Sequence, residues 1–151
     1  MASSLLQEDH IQINGIVRDQ FEAIALAAEP LLGDGSITED FIEAAVERER
    51  VFPTGLPTKI GVALPHTEAK YVLKESVSIV TLKNTVVFAG MGNPKESIPV
   101  NIVFLLAIQD PQKQLGVLQT IVTIIQNEKV LHKIKDAKDP KTIYNLIKTF
   151  L

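Results

Sequence analysis

The chain of 151 residues contains no cysteine, and aromatic residues make up only 5% of it. The absence of cysteine excludes disulfides, thiolate metal ligands and a cysteine nucleophile. The scarcity of aromatic residues means that the core must be mostly aliphatic. Hydrophobic residues at 46% and charged residues at 22% otherwise give the composition of an ordinary globular domain.

Basic clusters and long apolar runs are also missing. The formal net charge is −3, and no run of lysine or arginine suggests a nucleic-acid partner. The longest apolar stretch, residues 102–108, is far shorter than the roughly 20 residues that span a bilayer. Residues 1–8 lack the basic and apolar segments of a signal peptide. We therefore expect a soluble cytoplasmic protein with no direct membrane insertion.

Motifs for several kinds of chemistry do not occur. The chain has neither Gly-x-x-x-x-Gly-Lys-Ser/Thr nor Gly-x-Gly-x-x-Gly, so nucleotide binding is unsupported. It has no His-x-x-x-His or His-Glu-x-x-His spacing for a metal, and no Gly-x-Ser-x-Gly nucleophile elbow. A phosphoryl group handled by this chain should therefore arrive on another carrier, without a bound nucleotide, metal or other cofactor.

Five segments have the apolar patterning of β-strands. They are residues 10–15, the stretch that runs into Pro65, residues 76–82, residues 86–88 and residues 100–108. Asn84 predicts a turn between the third and the fourth. The last segment is nearly all apolar, which is typical of a strand covered on both faces. Residues 1–9 are predicted to be loosely ordered.

Five further segments have helical spacing. Their predicted starts are Asp19, with Glu22 completing a capping box, then Thr38, residues 110–114, about residue 130, and Asp139 followed by Pro140. We predict one α/β domain over residues 1–151, with a mixed sheet of about five strands flanked by helices on both sides.

His66 is the first candidate for chemistry. It follows a predicted strand, and ligands of open α/β sheets gather beyond the carboxyl ends of strands. Pro65 stiffens the backbone before it. A neutral imidazole can act near pH 7 as a base, a metal ligand or a nucleophile. A structural histidine at a strand end remains the alternative. His132, in a charged helix, and His10, beside a predicted edge strand, are poorer candidates.

Arg48 is the second candidate. A guanidinium group can hold phosphoryl oxygens through two hydrogen bonds. The alternative is a solvated charge that complements the carboxyl end of the helix dipole. Arg50 fits both interpretations equally well, and the pattern does not separate the two arginines.

Three motifs together resemble a known family. Glu-Arg-Glu at residues 47–49, Pro-Thr-Gly at 53–55 and Ile-Gly-Val-Ala-Leu-Pro-His at 60–66 resemble the enzyme IIA domain of the phosphoenolpyruvate-dependent sugar phosphotransferase system (PTS), fructose/mannitol type. The resemblance covers nearly the whole chain. Residues 48–55, 65–69 and 110–115 look like the galactitol-type branch of that family.

The resemblance implies a phosphotransferase mechanism. His66 would take a phosphoryl group on Nε2 from the phosphohistidine of the carrier HPr and pass it to a cysteine of enzyme IIB. Arg48 would stabilise the phosphoryl oxygens. Mannitol and fructose members usually carry a second histidine where this chain has Gln114, which argues against a mannitol-specific assignment and leaves an amide hydrogen bond in its place. Thr54 and Glu68 are candidates for orienting the loop or the ring.

The resemblance also implies a biological setting. The enzyme IIC membrane permease would select the sugar, galactitol or a related one. The alternative is a regulatory module of the same fold, in which phosphorylation of His66 controls a protein partner without sugar transport. A plain ligand-binding α/β domain is the third hypothesis.

Overall fold

The computed structural model of the protein describes residues 5–151, which form a five-stranded mixed sheet between two layers of helices. This architecture confirms the predicted fold class. A 3-10 turn, Ala69–Tyr71, precedes the longest strand. The strands are β1 (Leu6–Gly15), β2 (Gly55–Leu56), β3 (Gly61–Ala63), β4 (Ser76–Ala89) and β5 (Ser97–Ala107). The helices are α1 (Gln20–Gly33), α2 (Phe41–Val51), α3 (Pro111–Ile125), α4 (Glu128–Asp136) and α5 (Pro140–Ile147).

The sheet has the strand order β1-β4-β5-β3-β2. β1 runs parallel to β4 and β3 runs parallel to β5, whereas the pairs β4–β5 and β2–β3 are antiparallel. β3 and β5 therefore end at the same edge of the sheet. The parallel pairing extends to a bridge between His66 and Leu106. His66 accordingly lies at the carboxyl ends of two neighbouring parallel strands, where α/β sheets commonly bind ligands.

The central strand β5 explains the apolar run in the sequence. Its side chains alternate between two cores: Val103 and Leu105 belong to the core beneath α1 and α2. Phe104 and Leu106 belong to the core beneath α3, α4 and α5. Because both faces of the strand are covered, both sets of positions have to be apolar.

The sheet differs from the prediction in two respects. β4 is a single strand that continues through Asn84, so the turn predicted there is wrong. The pairing of β4 with β5 shifts register between Thr81 and Val86, and the polar residues 83–85 are exposed at this irregularity. The fifth strand is instead β2, a two-residue strand paired with β3.

The helix starts agree in part with the sequence signals. Asp19 and Asp139 cap α1 and α5 by accepting hydrogen bonds from backbone amides, as predicted. Glu22 accepts its hydrogen bond from the amide of Arg18 and not from that of Asp19, so the capping box is displaced by one residue. Thr38 does not cap α2 with its side chain, because that helix begins at Phe41.

Two further expectations concern the terminus and the membrane. Residues 6–9 belong to β1, so the prediction that they are loosely ordered is wrong, and for residues 1–4 it lies outside the described residues. Among the helices of residues 5–151, none has the length and apolar character needed to cross a bilayer.

The close approach of β3 to the neighbouring strand β5 can be tested at Gly61. A Cβ atom added there would lie 1.9 Å from the carbonyl oxygen of Pro99. Since that neighbour is backbone, Gly61→Ala must displace a strand, and we expect it to lower the free energy of unfolding by roughly 1–3 kcal/mol or more. Gly116→Ala in α3 is the control, because nothing lies within 4 Å of its added Cβ. It should raise stability by about 0.5–1 kcal/mol. Equal denaturant midpoints for the two variants would contradict the close packing.

Candidate active site

The imidazole of His66 is held in a defined orientation. The residue is only 8% exposed. Its Nδ1 lies 2.8 Å from the carbonyl oxygen of Leu64. Because a carbonyl oxygen only accepts hydrogen bonds, Nδ1 must carry a proton. The neutral ring therefore has its lone pair on Nε2. The amide of Leu106 donates to the carbonyl of Pro65 at 3.1 Å, which fixes the backbone immediately before the ring.

Burial also sets the charge of this ring. Desolvation lowers the pKa of His66 below its usual value of 6.5, and the nearby guanidinium of Arg48 lowers it further. The hydrogen bond to Leu64 acts in the opposite direction but does not reverse the shift. His66 is consequently neutral near pH 7, which is the state in which Nε2 can attack an electrophile.

A cavity of about 260 Å³ opens at His66. Arg48 from the end of α2 and Gln114 from the first turn of α3 line it together with His66. Thr67 and Glu68, which follow the histidine, complete one side of the cavity. Three residues that are far apart in the sequence are thus brought together at one edge of the sheet.

The structure separates the two candidate arginines. Arg48 lines the cavity, and its Nε is buried without a hydrogen-bond partner in the part of the chain that the structure describes. Its guanidinium carbon lies 5.0 Å from the centre of the Phe52 ring, a cation–π distance. Arg50 instead lies over the ring of Phe21 at 4.2 Å and 3.6 Å from the carboxylate of Glu47. Arg48 is therefore the arginine of the site.

Gln114 also has an unsatisfied group. Its side-chain oxygen is buried and has no hydrogen-bond partner within residues 5–151. A buried polar atom without a partner costs about 1–3 kcal/mol. Rotation of the amide about its terminal bond exchanges the oxygen and the NH₂ group, so the side chain can offer a donor to an anion in the cavity. Gln114 is accordingly placed to contact such a ligand.

The two orienting candidates behave differently. Thr54 is 3% exposed, and its hydroxyl accepts a hydrogen bond from the amide of Leu64 at 3.1 Å. It acts on the backbone before the histidine and not on the ring itself. The side chain of Glu68 is 72% exposed and lies 3.9 Å from the ammonium group of Lys70. No hydrogen bond joins it to His66 among the described residues, so its orienting role stays a prediction.

Glu49 is a buried polar residue that the sequence reasoning missed. It is 4% exposed, and its carboxylate accepts hydrogen bonds from both the amide and the hydroxyl of Thr54. The signal that could have found it is helical spacing. Phe41, Ala45 and Glu49 follow one another at intervals of four residues and form the buried face of α2. An acid on that face requires a partner inside the protein.

The other two histidines lie elsewhere. His10, in the edge strand β1, is 2% exposed, and its Nε2 lies 2.6 Å from a carboxylate oxygen of Asp34. His132 is exposed on α4, as its charged surroundings predicted. Neither residue lines the His66 cavity. Within residues 5–151, no group of three or more histidine, aspartate or glutamate side chains is arranged to hold a metal ion.

The candidate site thus combines a buried, neutral histidine with an arginine at the edge of an α/β sheet. The family model described as "Phosphoenolpyruvate-dependent sugar phosphotransferase system, EIIA 2" matches residues 4–150. The chain belongs to this family of enzyme IIA components, which are part of a phosphotransferase system.

Relatives of known type agree with this assignment. The mannitol-specific phosphotransferase enzyme IIA component of Bacillus subtilis (strain 168) is 31% identical over 142 residues, which cover 92% of this chain and 93% of that protein. The galactitol-specific EIIA component of Escherichia coli (strain K12) is 24% identical over 117 residues, 77% of each chain. The chain is thus of the mannitol/galactitol type, and the mannitol-specific relative is the more similar of the two.

Solved structures show the same fold. Enzyme IIAMTL in its complex with phosphorylated enzyme IIBMTL from Escherichia coli superposes with a TM-score of 0.76 at 20% identity. The superposition covers 96% of this chain and 99% of that chain.

The lowered pKa of His66 gives a direct prediction. NMR titration of the imidazole should show a midpoint below 6.5, because burial disfavours the charged ring. Arg48→Gln removes a neighbouring positive charge and should move the midpoint upwards. Arg50→Gln is the control and should leave it unchanged. A midpoint at or above 6.5 in the unmodified protein would show that burial does not govern this ring.

Proposed function

We propose that this chain is the phosphocarrier subunit of a sugar phosphotransferase system and that His66 is its phosphorylated residue. HPr donates the phosphoryl group, and a cysteine of enzyme IIB receives it. The observation that carries the proposal is the fixed tautomer of His66. Leu64 holds the proton on Nδ1, so that Nε2 is free at a cavity lined by Arg48 and Gln114. Family membership supports the same chemistry.

The transfer balances without an external proton acceptor. Nε2 of His66 forms a bond to phosphorus as the nitrogen–phosphorus bond of the donor phosphohistidine breaks, and that electron pair returns to the donor ring. The proton on Nδ1 stays in place, and its hydrogen bond to the Leu64 carbonyl stabilises the positive charge that the ring gains. In the second step the thiolate of enzyme IIB attacks phosphorus, and the electron pair returns to Nε2.

Arg48 supplies the permanent positive charge for this transfer. Phosphoryl transfer has a loose, in-line transition state, and the protein contributes mainly positioning and charge stabilisation. The buried Nε of Arg48 has no protein partner in the described chain, and we assign it to a phosphoryl oxygen. Gln114 adds a neutral amide donor that does not titrate. The pH dependence of transfer should therefore come from His66 and from the partner proteins.

The surroundings of the cavity suit two partners that bind in turn. Three large apolar side chains are exposed at the adjoining ends of α2 and α3: Val51 at 67%, Phe52 at 59% and Leu115 at 57%. A patch of this kind favours protein contact. The solved relative in complex with a phosphorylated enzyme IIB supports an acceptor of this type.

The transported substrate should be a hexitol. The motifs at residues 48–55, 65–69 and 110–115 favour galactitol, whereas overall identity is higher to a mannitol-specific relative. We propose galactitol or a related sugar, delivered through an enzyme IIC permease that makes the selection.

Phosphorylation of His66 can be tested with phosphoenolpyruvate, enzyme I and HPr. The unmodified chain should become labelled, and His66→Ala and His66→Gln should not, because no other side chain at the cavity offers a free imidazole nitrogen. His132→Ala is the control, since this residue is exposed on α4, and it should be labelled in full. Label in either folded His66 variant would overturn the proposal. Labelling without transfer to any enzyme IIB would favour the regulatory alternative.

The role of Arg48 can be tested against its neighbour. Arg48→Gln should lower the kcat of phosphoryl transfer by about 100- to 1,000-fold, the loss that follows removal of one charge-stabilising donor. The KM for phospho-HPr should change far less. Arg50→Gln keeps the same chemistry two residues away and should remain close to the unmodified rate. Equal losses in both variants would indicate a general electrostatic effect and refute a specific contact.

A further inference from the structure

We propose that Glu49 and Thr54 form a positioning relay that holds His66 in the tautomer with a free Nε2. The relay runs from the Glu49 carboxylate through the Thr54 hydroxyl and the backbone amide and carbonyl of Leu64 to the imidazole. This inference rests on the proposed phosphocarrier function for its kinetic consequence, whereas its structural consequence can be observed without any phosphoryl donor.

The last link of the relay is the backbone of Leu64. Its carbonyl accepts the Nδ1 proton of His66 at 2.8 Å, and its amide donates to the hydroxyl of Thr54 at 3.1 Å. β2 and β3 pair with Gly55 opposite Ala63, which places Thr54 across from Leu64. The threonine hydroxyl thus replaces a backbone acceptor at the point where the strand pairing ends. The amide and the carbonyl of Leu64 belong to two consecutive peptide groups, and both are engaged, so the backbone on either side of the Leu64 Cα is held in place.

The first link gives the threonine hydroxyl its direction. The hydroxyl lies 2.9 and 3.1 Å from the two carboxylate oxygens of Glu49, and the Thr54 amide lies 2.7 Å from one of them. Because an ionised carboxylate only accepts, the hydroxyl must donate to Glu49. Its lone pairs are then left for the amide of Leu64. Replacement of the carboxylate therefore changes the hydrogen-bond direction at the residue that holds the Leu64 amide.

The position of Glu49 is energetically unfavourable for a carboxylate, so its hydrogen bonds to Thr54 have to offset that cost. The residue is 4% exposed and lies in the last turn of α2, where the helix dipole disfavours an acid. Burial raises the pKa of its carboxyl group, opposed by the bonds from Thr54 and the charge of Arg48. The buried carboxylate therefore costs free energy. Its hydrogen bonds hold the segment that joins Arg48 to the strand before His66.

The test uses a matched pair at Thr54. Thr54→Val keeps the shape of the side chain and removes the hydroxyl, whereas Thr54→Ser keeps the hydroxyl. Nitrogen-15 NMR of the unphosphorylated proteins, at a pH above the imidazole titration, reports which ring nitrogen carries the proton. The unmodified chain and Thr54→Ser should carry it on Nδ1. Thr54→Val should show a measurable fraction with the proton on Nε2.

The relay also predicts a change in the rate of phosphoryl transfer. Thr54→Val should lower the kcat of phosphoryl transfer by about tenfold, the effect of losing one neutral hydrogen bond, with little change in the KM for phospho-HPr. Glu49→Gln should act in the same direction, and Thr54→Ser should restore the rate. Glu29→Gln, an exposed acid on α1, is the control and should behave as the unmodified chain.

The outcomes separate the two proposals. If Thr54→Val loses only thermal stability and keeps the tautomer of Thr54→Ser, the relay is structural and the inference is refuted. If the tautomer shifts as expected while the unmodified chain takes no label from phospho-HPr, the proposed function fails and the positioning role of Thr54 stands. A Glu49→Gln variant with an unchanged tautomer and rate would remove Glu49 from the relay.

Discussion

The parallel pairing of β3 with β5 decides where the candidate active site of this protein lies. β3 has only three residues, yet it ends beside the central strand and delivers His66 opposite Leu106. The same central strand continues into α3, whose first turn carries Gln114. The pairing of β2 with β3 brings in the end of α2, and with it Arg48. One short strand therefore joins three distant segments, and Gly61 is the residue that allows it to lie so close to β5.

The polar groups at this edge fall into two kinds. Glu49, Thr54 and the ring Nδ1 are buried and fully engaged in hydrogen bonds, so they fix geometry. Arg48 Nε and Gln114 Oε1 are buried and unpaired among the described residues. Buried polar atoms without partners are rare in folded proteins, and each such atom asks for an explanation. A phosphoryl group in the cavity would satisfy the arginine directly and the glutamine after its amide rotates. The candidate site is thus rigid around the imidazole of His66, and it leaves polar atoms unpaired where the proposed phosphoryl group would bind.

The sequence predicted the parts of the fold that depend on local pattern. The apolar run at residues 102–108 indicated a covered strand, and Pro65 with His66 indicated a rigid strand end. The irregularity in β4 was predicted to be a turn, because a turn and a bulge both expose polar residues, here residues 83–85. Only pairing with β5 on either side of Asn84 distinguishes them. The choice between Arg48 and Arg50 likewise depends on which side of α2 faces the strand before His66. That is tertiary information, which no helical pattern contains.

Among the described residues, His66 is the one imidazole that lines the cavity, so no second histidine would titrate during the proposed phosphoryl transfer. A carrier has to accept a phosphoryl group and then release it, so excessive stabilisation of the phosphorylated state would trap the group. In the proposed transfer, Arg48 would provide one permanent charge, and Gln114 would contribute a dipole that pH does not alter. Burial, which lowers the pKa of His66, also disfavours the positive ring of the phosphorylated state. The Leu64 carbonyl offsets part of that cost through Nδ1. In the proposed function, the balance between these two terms would decide how readily the group leaves for a thiolate of enzyme IIB.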